Sequence, residues 1–158
     1  MRLLFIATLC AAFLFAQKYT GPRPPQPDIP YLKHASQLVP TDVAEAREDK
    51  RKDGTAYISA GASATARTPL AEPIFVFESK NIAAEKLSLY KLDVKNNSRE
   101  IFFNDNPKKR KDSARPLRLM VTPLTRGLYQ LEANETLEAG EYALTPEGSN
   151  SVFLFQVY

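Results

Sequence analysis

From about residue 38 to the C-terminus, apolar and polar positions alternate in short runs divided by turn residues, the period-two pattern of β-strands. Residues 74–79 (IFVFES) are apolar on both parities, which predicts a central, buried strand. Residues 87–95 (LSLYKLDVK) change parity partway. Leu87 and Leu89 fall on one face and Tyr90, Leu92 and Val94 on the other, so a bulge near Leu89 would bring both halves onto one core. Asn96, Asn97 and Ser98 supply a turn that tolerates left-handed backbone, and 99–103 (REIFF) returns antiparallel beside the strand before it. Segments 117–124, 127–133, 140–145 and 151–158 complete the series, punctuated by Arg126-Gly127, Ala139-Gly140 and 147–150 (EGSN). Strands at this spacing predict an all-β fold, an antiparallel β-sandwich with a β-barrel as the alternative. Phe75, Phe77, Leu92, Val94, Leu119, Val121, Leu144, Phe153 and Phe155 are the expected core.

The front of this region is ambiguous. Residues 41–52 (TDVAEAREDKRK) contain helix formers but no apolar stripe wide enough to seat a helix. An edge strand turning at Asp53-Gly54 into 55–59 (TAYIS) is the better reading, its charges discouraging pairing with other chains. One short helical turn fits 81–87 (NIAAEKL), and 61–69 (GASATARTP) reads as a loop.

Two segments precede the domain. Met1-Arg2 followed by the uncharged run 3–16 (LLFIATLCAAFLFA) has the form of a secretory signal peptide, too short to span a bilayer comfortably. Cleavage is expected after Ala16. Residues 17–37 then form a Pro-rich extended arm. Pro22, Pro24, Pro25, Pro27 and Pro30 lie there and Pro40 just beyond, each fixing φ and turning its predecessor away from helix. The β-domain is assigned to 38–158, and the mature chain to a periplasmic or extracellular location.

The signal peptide alters the chemistry available. Cys10, the one cysteine, lies inside the apolar run, so the mature chain has no disulfide and its fold rests on its core. Leu9 stands where a lipoprotein signal needs a small residue, which argues against lipidation of Cys10. Loss of Arg2 lowers the formal net charge from +3 to +2. Cations and anions are interspersed through most of what remains, as on an ordinary solvated surface.

Catalytic patterns are mostly missing. His34 is the one histidine, and it lies in the Pro-rich arm beside Ser36 with nothing to organise a base against a nucleophile. A His-rich zinc site, a Cys–His pair, a GxSxG elbow, an HExxH pair, a phosphate-binding glycine loop and a dinucleotide fingerprint are all absent from the sequence. Glu45, Glu48, Asp49 and Asp53 alternate with Arg47, Lys50, Arg51 and Lys52, which describes a solvated charged face rather than an acid/base pair. Asn104-Asp105-Asn106 has oxygen ligands but neither the glycine nor the distal glutamate of a calcium loop. No catalytic, cofactor-binding or metal residue is assigned.

The sharpest local feature is 107–112 (PKKRKD). Lys108, Lys109, Arg110 and Lys111 form a continuous basic run within a hydrophilic loop, and they are the candidate polyanion contacts, acting through clustered charge on an anionic surface. Specific nucleic-acid recognition lacks the motifs that would accompany it. The seven Tyr and nine Phe sit largely at strand positions, where core packing is the ordinary explanation, although flat rings also permit carbohydrate binding. Sequons at Asn96 and Asn134 matter only in a glycosylating pathway.

The segment LEAGEYALTPEGSNSVFLFQVY, residues 137–158, resembles the end of exported bacterial β-domain proteins of uncharacterised function, which close with a Gly-Glu-Tyr strand, a polar turn and an aromatic terminal strand. The resemblance implies an envelope or extracellular β-domain and brings no catalytic residues. The expected function is therefore noncatalytic, binding or scaffolding an envelope or extracellular component. The alternative is a carbohydrate-active enzyme using dispersed carboxylates.

Overall fold

The computed structural model describes residues 19–158; the expected signal peptide, with Cys10 and the cleavage site, lies outside them. The described residues form thirteen strands in chain order: β1 (Tyr31–His34), β2 (Gln37–Pro40), β3 (Asp42–Glu45), β4 (Arg47–Arg51), β5 (Gly54–Ala60), β6 (Arg67–Thr68), β7 (Ile74–Glu78), β8 (Leu87–Lys95), β9 (Ser98–Asn104), β10 (Leu119–Thr125), β11 (Leu128–Ala133), β12 (Gly140–Pro146) and β13 (Ser151–Val157). Short 3-10 segments lie at Ala84–Lys86 and Pro107–Asp112. Among the described residues no helix is long and apolar enough to cross a membrane.

The expected all-β architecture is present as two packed sheets. A five-stranded antiparallel sheet runs β10-β11-β7-β1-β2. The second follows β3-β13-β12-β8-β9-β5-β4, with β6 pairing parallel to β13. This second sheet curls because β3 and β4 are separated by Ala46 alone. The run 42–51 pairs β13 through its first half and β5 through its second, so both ends of the sheet meet in one stretch of chain. The ring is incomplete on one side, since β8 pairs β12 over Leu87–Leu92 but β9 only over Asp93–Lys95. Where β8 and β9 part, the chain after β9 fills the gap: the Ala114 N–H donates to the Phe102 carbonyl (2.7 Å) and the Leu117 N–H to that of Leu89 (2.8 Å).

Curling gives the molecule two cores. Between the sheets lie Leu32, Phe75, Phe77, Leu87, Leu89, Leu131, Tyr142, Leu144, Phe153 and Phe155. Inside the curl lie Ala46, Leu92, Ile101, Ala143, Val152 and Leu154, with Ala64 above them. Strands β8, β12 and β13 are shared walls, their alternate residues facing opposite cores. The parity change in β8 is therefore no bulge: Leu87–Leu92 hold continuous register with β12, Leu87 and Leu89 pack between the sheets, and Leu92 packs inside the curl.

Other expectations are corrected by the same geometry. Val94 is 49% exposed rather than buried, because β8 has run past the covered part of the curl. Leu119 and Val121 are only partly buried, on edge strand β10. The domain does not begin at residue 38 either. After Pro30 the chain is free of proline until Pro40, and Tyr31–His34 enters the first sheet between β7 and β2, burying Tyr31 and Leu32. The segment 31–37 is thus part of the sheet, and His34 sits on β1, with its Nε2 buried and without a hydrogen-bond partner among the described residues. The region 41–52 forms β3 and β4 rather than a helix, the strand reading favoured by the missing apolar stripe, and turns into β5 with Arg51 opposite Gly54.

Candidate functional site

The curled sheet forms a cup. At its closed end, Arg99 on β9 and Glu141 on β12 both point inward; their side chains are 5% and 4% exposed, with Nη1 and Oε2 3.3 Å apart. Arg99 also donates to the Gly61 and Ala60 carbonyls, both at 2.9 Å. Glu141 Oε2 accepts the Ala64 N–H at 2.9 Å, so the 61–66 loop is tied across this end. Asp42 holds the same loop by accepting from the N–H and hydroxyl of Thr65 and the N–H of Ala66.

The opposite end is open. A cavity of about 530 Å³ begins above Ala46, Ile101 and Val152, which are buried and form its apolar floor. Tyr57, Tyr90 and Phe103 line its walls and are half-buried. Phe103 stands edge-on to both tyrosines, with centroids 5.9 Å from Tyr57 at 77° and 5.5 Å from Tyr90 at 86°. Strand register sets this arrangement. Phe103 pairs across from Thr55 and Ile101 from Tyr57, so Tyr57 and Phe103 are diagonal neighbours on one face, and the pleat sends these odd positions into the cup. Thr55, Ser88 and Thr145 add hydroxyls. Asp105, Glu147, Ser149 and Asn150 form an exposed rim from the ends of β9 and the β12–β13 turn. Among the described residues, no Lys, Arg or His lines the cavity. Glu147 lies 3.9 Å from Lys86 at the surface, whereas Asp105 has no ion pair among the described residues.

The sequence-assigned cations are elsewhere. Lys108, Lys109, Arg110 and Lys111 are all exposed on the 3-10 segment, whose first turn is capped by the Asn106 side chain accepting the Lys108 N–H at 3.0 Å. Lys109 pairs with Asp53 at 3.2 Å. Lys111 borders a second cavity of about 330 Å³ beside the β8–β9 gap, where Lys91 and Arg115 are balanced by Asp93, Glu100 and Asp112. Of the four cations only Lys111 reaches this cavity, where the neighbouring carboxylates offset its charge.

Glu100 shows how charge is managed on the outer wall. It is 7% exposed and accepts from Arg51 and Lys95, each at 2.8 Å. These hydrogen bonds hold its carboxyl below the usual range against the opposing effect of burial. None of Glu45, Glu48, Asp49 and Asp53, on or beside β3 and β4, lines the cavity; three of them pair with surface cations and Glu45 accepts from the Ser151 hydroxyl. Among the described residues, no group of three or more His, Cys, Asp and Glu is placed to hold a metal ion.

The mouth residues were not legible as a site. Phe103 and Tyr90 read as core positions and Asp105 as a polar turn. Ile101, Phe103 and Asp105 share one parity along the chain, but Tyr57 joins their face only through the β5–β9 pairing, and the curl is what makes that face concave. No family model, curated protein or solved structure matches the chain.

Proposed function

We propose that this protein is a noncatalytic exported β-domain that binds a small ligand, or the small end of a larger envelope or extracellular component, in the open mouth of its cup. The observation that carries the reading is the mouth itself: partly exposed aromatic rings over an apolar floor, with polar groups confined to the walls and rim. Concave sites of this composition are where proteins take small ligands. Export is supported by the signal-like pattern of residues 1–16.

The carbohydrate-active alternative draws on Asp105 and Glu147 facing one cavity. Both are exposed rim groups, whereas a glycosidase's general acid needs desolvation to keep its proton. Binding is the better-supported role. The test is a titration of isotope-labelled protein, from residue 17 onward, with neutral, cationic and anionic small molecules and short oligosaccharides. Backbone signals of Tyr57, Tyr90, Phe103 and Asp105 should shift with at least one class. If every compound leaves those signals still, the mouth is no binding site. Sequencing the N-terminus of the native protein tests export, with Gln17 or a near neighbour expected first.

A further inference from the structure

The charge of the mouth narrows its ligand. We infer that the cup takes an organic cation, an amine or quaternary ammonium group carried on a compact apolar body. The inference rests on the binding role proposed above. Its basis is the pairing of three aromatic walls with two carboxylates and no cation, in a chain with 21 Lys and Arg against 18 Asp and Glu. Aromatic faces attract cations through the ring quadrupole, most strongly where water is partly displaced, as at the half-buried Tyr57, Tyr90 and Phe103. Asp105 supplies the complementary charge at the rim with no competing ion pair among the described residues. Among the described residues lining the cavity, an anionic ligand would meet two carboxylates and no cation. The basic run starts just beyond Asp105, yet none of its side chains lines the cavity.

Three probes of one shape separate charge from size: choline, its neutral isostere 3,3-dimethyl-1-butanol, and the anion 3,3-dimethylbutanoate. Choline should shift the signals of Tyr57, Tyr90, Phe103 and Asp105 and bind about tenfold more tightly than the alcohol, while the anion leaves them unmoved. Asp105→Asn, an exposed change that spares the fold, should weaken choline about three- to tenfold and leave the alcohol unaffected. Tyr90→Leu should do the same through loss of the ring face. Equal binding of choline and the alcohol, tighter binding of the anion, or movement of the mouth signals by neutral oligosaccharides alone would each overturn the cation inference while leaving the mouth a binding site. Silence from all probes and oligosaccharides would overturn both readings.

Discussion

Glu141 is a buried charge held from one side only. Its Oε1 is buried without a partner among the described residues, while Oε2 holds Arg99 and the 61–66 loop. Removing one member of a buried pair strands the other, and Glu141→Leu should cost about 3–5 kcal/mol, read as a lower urea midpoint. Arg99→Met combined with Glu141→Leu should recover most of that loss; simple addition of two large losses would contradict the coupling. Glu100 makes a pH-dependent contribution. Its folded pKa lies below the ordinary value of 4.5, so the stability it adds is fully present above that value and is lost as pH falls through the folded pKa. Glu100→Gln should cost on the order of 1–2 kcal/mol near pH 7 and progressively less as pH falls through the folded pKa. Asp28 has the same sign: burial raises its carboxyl, but N–H bonds from Ile82, Lys80 and Asn81 outweigh that and leave it below 3.8.

Among elements, the β4–β5 hairpin controls the mouth through its glycine. A Cβ at Gly54 would stand 2.0 Å from the Phe103 carbonyl oxygen and 2.9 Å from Asn104 Cα, both backbone atoms that cannot swing aside. Gly54→Ala should therefore push the hairpin off β9, lowering stability by about 2 kcal/mol or more and shifting the Phe103 and Asp105 signals. An unchanged midpoint would show that the strands part at no cost. Strand β7 illustrates the other route to rigidity. Phe75 is fully buried and meets Phe155 edge-to-face at 5.0 Å, so Phe75→Ala should cost about 3–5 kcal/mol. At the β8–β9 turn, Asn96 and Asn97 both have positive φ, which their short polar side chains tolerate.

Over the whole molecule, the sealed end, apolar middle and acidic mouth give the cup a direction, while the basic run remains on the outside. Replacing Lys108, Lys109, Arg110 and Lys111 with Gln should leave the unfolding midpoint nearly unchanged, since exposed sites contribute about 0.5 kcal/mol or less each. Retention on anionic vesicles at low salt should fall in that variant, while choline binding should not weaken. Equal retention would place any anionic contact on another surface.

Strand identity and turn position were legible in the sequence because they depend on neighbours one to four residues apart. Alternation located most of β8 through β13, a continuous apolar run located β7, the Asn96-Asn97 turn declared its backbone, and the absence of an apolar stripe favoured strand over helix in 41–52. The apolar-on-both-faces strands were also visible, but not the number of cores that cover them. That number depends on whether distant strand edges meet, and they meet through Ala46, a small residue whose role exists only once β13 and β5 lie on either side of it. Tyr57, Tyr90, Phe103, Asp105 and Glu147 come from strands and turns up to ninety residues apart. Their convergence, and the choice between filled core and open mouth, follows from sheet curvature, a property of the assembled pairings that no local pattern of residues contains.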